Sequence, residues 1–276
     1  MEERFQHHPD QVKTMSTEAL RTAFVLTELM QHGKGKWIYS HYDRMITGGI
    51  VPVNVSISLA VHEQLKSDFF LQRREIGIIN TGGEGTITAD GQTFVMNKLD
   101  CLYLGRGTRD VSFQSAVAES PAQYFVLSAP AHQTFPNALM KNENATPVAL
   151  GEKKTANERT IYKYIHEDGI KSCQLVMGLT LLKEGSVWNT MPAHTHNRRM
   201  EVYLYFDVAE EQRVFHMMGR PQETRHLLVR DREAVISPPW SIHSGCGTSH
   251  YSFIWGMAGE NQSFTDMDFV PIEELR

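Results

Sequence analysis

The sequence predicts an all-β protein: two similar small barrels in tandem behind a short helical arm. Three observations carry this reading. Short apolar runs punctuated by glycine recur at even spacing, Asp90-Gly91 is a strong hairpin signal, and one half of the chain faintly echoes the other.

Residues 1–36 read as the arm. Ser16 can cap a helix, Glu18 suits its first turn, Leu20, Phe24 and Leu29 roughly share a face, and Gly33-Lys34-Gly35 stops it. From Trp37 the texture becomes β-rich, with runs at residues 50–57, 76–79 and 85–88, as expected of a first barrel over 37–140. Residues 136–160 are polar and read as a connection between halves. A second barrel is expected over 141–276, resuming with an apolar run at 173–181, and its last segment, from 259 on, reads as acidic irregular chain packed over the body.

The echo aligns Arg73-Arg74-Glu75-Ile76-Gly77-Ile78-Ile79-Asn80 with Arg198-Arg199-Met200-Glu201-Val202-Tyr203-Leu204-Tyr205. It also aligns Asp100-Cys101-Leu102-Tyr103-Leu104 with Glu233-Ala234-Val235-Ile236-Ser237. Where the second half has Pro238-Pro239-Trp240-Ser241-Ile242-His243, the first has Gly105-Arg106-Gly107, so the first barrel is expected to hold no metal and to act as scaffold.

Composition narrows the function classes. The chain has 276 residues, 41% hydrophobic and 21% charged, with a formal charge of −5, so no basic surplus points to nucleic acid. Three scattered cysteines (Cys101, Cys173, Cys246) offer neither a disulfide framework nor a CxxC knuckle and fit a reduced, cytoplasmic compartment. The acidic N-terminus has no apolar run behind it, so no secretory signal is expected, and no stretch approaches the roughly 20 apolar residues of a membrane span.

The chemistry is concentrated in Pro192-Ala193-His194-Thr195-His196-Asn197-Arg198-Arg199-Met200-Glu201. Residues two apart on a strand point to one face, so His194 and His196 present both imidazoles to one point. Glu201 follows a short polar turn and opens an apolar run that can return beside the first strand, and His243, after a proline turn, is placed to be the fourth ligand. An isolated HxH pair is common among ordinary histidines; the spaced glutamate and the later histidine set this one apart. Three neutral imidazoles and a carboxylate suit zinc, and also manganese, iron(II) or nickel. His216, His226 and His250 are alternative ligands without a comparable setting.

HxH, four residues and Glu resemble the first metal motif of the cupin superfamily, and Pro238 followed five residues on by His243 resembles the second. Trp240 stands where cupins usually have glycine, and Gly185 lies further ahead of His194 than the usual leading glycine; both bear on loop shape and leave the ligands in place.

Three longer strings are similar to the bacterial 5-keto-4-deoxyuronate isomerase family. They are Ser186-Val187-Trp188-Asn189-Thr190-Met191-Pro192, Val214-Phe215-His216-Met217-Met218-Gly219-Arg220-Pro221-Gln222-Glu223-Thr224-Arg225-His226 and Ile254-Trp255-Gly256-Met257-Ala258-Gly259-Glu260-Asn261-Gln262. The similarity covers nearly the whole chain. It implies a two-cupin fold, a homohexamer, and one Zn2+ per subunit in the C-terminal barrel. It also implies a ketol isomerisation in pectin and uronate breakdown, from 5-dehydro-4-deoxy-D-glucuronate to 3-deoxy-D-glycero-2,5-hexodiulosonate. A cupin dioxygenase and a non-catalytic sugar-binding cupin are the rival readings; zinc, having no redox chemistry, separates the first from the isomerase.

Moving a proton between adjacent carbons of an aldose needs a Lewis acid on its oxygens and a base near neutral pH. With all four protein ligands bound, zinc must exceed four-coordination; the alternative is that Glu201 loosens and shares in proton transfer, which makes it the candidate catalytic group. The substrate's carboxylate calls for a guanidinium or ammonium group. Arg198 and Arg199 are nearest in sequence, with Arg220 and Arg225 following. Tyr203 and Tyr205 alternate to the face of Glu201, so Tyr203 joins the two arginines as a candidate substrate contact.

Overall fold

A computed structural model describes residues 1–260 and 263–276; the last two residues of the third family-like string, Asn261 and Gln262, lie outside the described residues. The chain forms two compact units. One comprises Met1–Glu3, Glu28–Thr146 and Tyr164–Met177; the other comprises Arg4–Thr27, Pro147–Lys163 and Gly178–Arg276. The units therefore exchange segments rather than dividing at 36 and 140: most of the expected arm belongs to the second unit, and residues 164–177 return to the first.

The first unit has a seven-stranded sheet in the order Glu2–Arg4, Lys34–Ser40, Ile46–Val51, Tyr124–Pro130, Arg74–Asn80, Cys101–Leu104, Ala138–Met140. A four-stranded sheet, Ile57–Ser58, Val111–Ser115, Gly85–Ala89, Gln92–Met96, completes it. One apolar core takes side chains from both sheets, Ile76, Ile78, Leu102 and Val126 from the larger and Ile87, Phe94 and Phe113 from the smaller. The two sheets share no strand, so the unit is a cupin-like sandwich rather than a closed barrel.

The second unit repeats this order strand for strand. Its large sheet runs Pro147–Leu150, Arg159–Ile165, Val176–Leu182, Ser252–Gly259, Arg199–Phe206, Ala234–Ser237, Val25–Leu26. Its small sheet runs Trp188–Asn189, Ser244–Gly247, Val214–Arg220, Glu223–Val229. Register bears out the sequence echo: Ile76 pairs with Leu104 in the first unit as Glu201 pairs with Ser237 in the second. An isoleucine thus occupies the place of the carboxylate, and Arg106, beyond that strand, donates to the carbonyls of Gln72, Ala131 and His132. Buried Glu75, one residue earlier, accepts from the Tyr103 hydroxyl and from the backbone N–H groups of Cys173, Gln174 and Leu175, tying the returning segment to its sheet.

Local signals explain most elements. Asp90 and Gly91, at φ +47° and +84°, form the two-residue turn joining Gly85–Ala89 to Gln92–Met96. Ser16 caps a helix over Thr17–Phe24 by accepting from the Ala19 N–H. The helix stops before Leu29, because Val25 and Leu26 leave it to pair with Val235 and Ala234; β-branched Val25 suits that pairing better than another helical turn. The run at 50–57 is broken after Val51, where Pro52 has no N–H for the ladder. Residues 263–276 are mostly irregular, apart from Asp268–Phe269 and a turn at Ile272–Glu274. Among the described residues no helix is long and apolar enough to cross a membrane.

Candidate metal centre

Alternation along two strands and one turn builds the site. The short strand His194–Thr195 pairs with Asp268–Phe269, and the Val270 N–H donates to the Ala193 carbonyl at 2.9 Å. Ala193 and Ile242, each one residue before a site histidine, pack with Val270 in a small apolar cluster. Neighbouring residues on extended chain point to opposite sides, so anchoring Ala193 and Ile242 in that cluster turns His194 and His243 the other way. His243 is delivered by the Pro238-Pro239-Trp240-Ser241 turn. There the Ser241 N–H returns to the Pro238 carbonyl, the Ile242 N–H reaches the Gly219 carbonyl, and the Ser241 hydroxyl accepts from the Gly219 N–H.

The four expected ligands meet. One donor atom from each of His194, His196, Glu201 and His243 falls within 4.8 Å of every other, and all four residues are buried. Nε2 of His196 and Nε2 of His243 lie 3.0 and 2.9 Å from Oε2 of Glu201, and the Nε2 atoms of His194 and His243 are 2.9 Å apart. Nδ1 of His196 sits 3.0 Å from the Arg199 carbonyl, which accepts a hydrogen bond from Nδ1–H and leaves Nε2 as a lone-pair donor, a common orientation of metal-bound histidine. The Ser237 hydroxyl stands 3.4 Å from Nδ1 of His243.

Electrostatics agree with ligation. Burial, reinforced by His243, pulls His194 down to about 2, so it is neutral and able to donate a lone pair. Burial alone would push the Glu201 carboxyl up, but the adjacent His243 and His196 outweigh it and hold the carboxyl well below its ordinary range. Three imidazoles and one carboxylate converging without a filling side chain fit a divalent transition metal. His216 is buried but outside the group, while His226 and His250 are exposed.

His194 and Glu201 open into a cavity of about 390 Å³, within the roughly 300–1,000 Å³ usual for small-molecule sites. Glu201 and Tyr203 line it on one strand, with Met257 and Trp255 directly opposite them in register. Arg159 and Ile161 line it from another strand, and Phe264, Thr265, Met267 and Phe269 from the C-terminal segment. The Tyr203 hydroxyl stands 3.2 Å from the Thr190 hydroxyl, and burial, with Glu201 nearby, pushes its pKa well above the ordinary value, so it is a donor. Tyr205 bonds Nδ1 of His216 at 2.8 Å and does not line the cavity.

The two arginines next to the metal motif are placed elsewhere. Arg198 is bidentate to Asp266 on the surface (Nε to Oδ2, 3.0 Å). Arg199 is fully buried and donates to the carbonyls of Ser263, Phe264 (3.5 Å) and Asp266 (3.2 Å). Neither lines the cavity, because the turn after His196 sends one to solvent and the other against the backbone of the C-terminal segment. Arg220 meets Asp10, and Arg225 the carbonyls of Val12, Lys13 and Met15. The cavity's arginine is Arg159, which no local signal connects to a histidine motif 35 residues away in sequence.

The family model described as KduI/IolB matches residues 24–272. This chain is a member of the KduI/IolB family. Among its curated relatives, proteins named 4-deoxy-L-threo-5-hexosulose-uronate ketol-isomerase from Shouchella clausii and Halalkalibacterium halodurans are 55% and 52% identical, each match covering all of both chains. Solved structures extend the likeness at the level of fold. An IolB-like protein from Salmonella typhimurium LT2 is 16% identical over 90% of this chain and 96% of its own, with a TM-score of 0.69. Lactobacillus farciminis oxalate decarboxylase is 9% identical over 83% of this chain and 82% of its own, with a TM-score of 0.59. In this KduI/IolB member the convergent ligand group lies in the second cupin unit; no other such group occurs among the described residues.

Proposed function

We propose that the chain is a ketol isomerase that converts 5-dehydro-4-deoxy-D-glucuronate to 3-deoxy-D-glycero-2,5-hexodiulosonate in the breakdown of pectin-derived uronates. We further propose that it holds one zinc per subunit at His194, His196, Glu201 and His243, and that it works in the cytoplasm as a homohexamer. The observation that carries the reading is a buried His-His-Glu-His donor set at the wall of a sugar-sized cavity, in a chain 55% identical end to end to a protein bearing the isomerase name. The hexamer rests on the family resemblance, and the compartment on the three scattered cysteines.

Bound zinc would supply Lewis acidity to the sugar's carbonyl and hydroxyl oxygens, lowering the cost of removing the proton between them. The protein's own groups do the rest. Glu201 is the one carboxylate among the described residues lining the cavity, so it is the group we assign to accept and return the proton. Tyr203 keeps its proton and offers a hydrogen bond to a substrate oxygen. Phe253, Trp255, Met257 and Phe269 make much of the wall apolar, which limits water around a proton in transit.

The test pairs elemental analysis of purified protein with proton NMR of the turnover reaction in deuterated water. Stoichiometric zinc together with product carrying solvent deuterium on carbon is the expected result. Consumption of oxygen instead of isomerisation, or tight binding without product, would overturn the reading in favour of a dioxygenase or a binding protein.

A further inference from the structure

Arg159 begins the strand Arg159–Ile165 and, with Ile161 two residues on, faces the metal-site cavity. It is the one lysine or arginine among the described lining residues. Its only hydrogen bond among the described residues runs from Nη1 to the Asn157 carbonyl at 2.9 Å, and no carboxylate pairs with it. Arg159 is partly buried and shares the cavity wall with Ile161, Trp255 and other apolar residues. The nearby arginines differ: Arg198 pairs with Asp266, and the two Nη atoms of Arg199 donate to three carbonyls, although its buried Nε has no partner. Its remaining donors are not sealed inside the protein, so an anion entering the cavity can reach Arg159, and a carboxylate matches the guanidinium fork.

We propose that Arg159 is the specificity-determining residue that recognises the substrate's carboxylate and selects a uronate over an uncharged sugar. The identity of that substrate rests on the isomerase reading above; the capture of a carboxylate in this cavity does not. In a six-carbon hexosulose-uronate the reacting aldehyde and neighbouring hydroxyl occupy one end of the chain and the carboxylate the other. One pole of the site must therefore hold the oxygens at the metal donors and another must hold the anion, and Arg159 is the second.

The experiment compares the substrate with its methyl ester, in zinc-loaded wild type, Arg159→Gln and Arg159→Lys. A charge-assisted contact predicts that wild type favours the acid over the ester in KM by roughly 10- to 100-fold. Arg159→Gln loses that preference, chiefly through a higher KM for the acid, while metal content stays at the wild-type level. Arg159→Lys, which keeps the charge but not the fork, recovers part of the preference and serves if the glutamine variant does not fold. Retention of the full preference in Arg159→Gln would overturn the proposal, since a purely structural arginine would alter both substrates alike. Calorimetric titration with glucarate, which has the chain length and carboxylates but no carbonyl to isomerise, separates this claim from the isomerase reading. Binding at least 10-fold weaker in Arg159→Gln supports it even in a protein without isomerase activity; equal affinity in both proteins, or none in wild type, refutes it.

Discussion

The Nε2 atoms of His194 and His243 face each other at 2.9 Å, although the two residues lie 49 positions apart in sequence. Both also stand beside the Glu201 carboxylate: His243 Nε2 is 2.9 Å from Oε2, and the His194 donor is within 4.8 Å of it. Lone pairs on both Nε2 atoms would repel at that spacing unless a cation or a proton lies between them. A shared divalent ion resolves this for all four donors at once.

Removing one donor should therefore empty the site. His243→Ala is expected to purify with little metal and to lose at least about a thousandfold in kcat/KM, the equivalent of several kcal/mol of Lewis-acid stabilisation. Metal content by elemental analysis and kinetics on the same preparation check this together. A metal-free variant with wild-type turnover would end the metal mechanism.

Glu201→Gln separates holding from proton transfer. The amide keeps an oxygen donor of similar shape but cannot take up a proton, so some metal should remain while kcat falls by roughly 100-fold or more. Full turnover in this variant would remove Glu201 from the proton pathway.

His216 sets a pH dependence of folding. Burial, with His243 adding to it, lowers its pKa to about 3 from an ordinary 6.5. The unfolded chain takes up this proton below pH 6.5 and the folded chain does not. Its contribution to stability is therefore complete above pH 6.5 and falls as pH drops toward 3, by about 2 kcal/mol between pH 7 and pH 5. Urea unfolding of chelator-treated protein at these two pH values should show a smaller pH effect in His216→Gln by that amount. An unchanged difference would mean the imidazole is already charged in the fold.

Arg199 supports the cavity from outside it. Replacing it with methionine leaves the carbonyls of Ser263, Phe264 and Asp266 without this donor, at a cost of roughly 2–4 kcal/mol. Phe264, Thr265, Met267 and Phe269 line the cavity from that segment, so KM should rise and amides 263–269 should exchange faster with deuterated solvent. Unaltered exchange there would show that the segment is held by its other contacts.

Much of this was legible in the sequence because it depends on short-range geometry. The hairpin at Asp90-Gly91 follows from two residues at positive φ, the helix start from a serine oxygen reaching an N–H three residues on, and the facing imidazoles of His194 and His196 from strand alternation. The echo placing Ile76 at the position of Glu201 survives because both halves pair their strands in the same register. Tertiary structure decided what spacing cannot encode. Val25 and Leu26 left the helix because a strand edge more than 200 residues away offered hydrogen bonds. Arg198 and Arg199 were drawn from the cavity by Asp266 and by three carbonyls some 65 residues on, and Arg159 came to face the cavity from a strand three places from that of Glu201 in the sheet. Alternation fixes which way a side chain leaves its own strand; which distant backbone or charge it then meets depends on strand order, and that is a property of the assembled sheets.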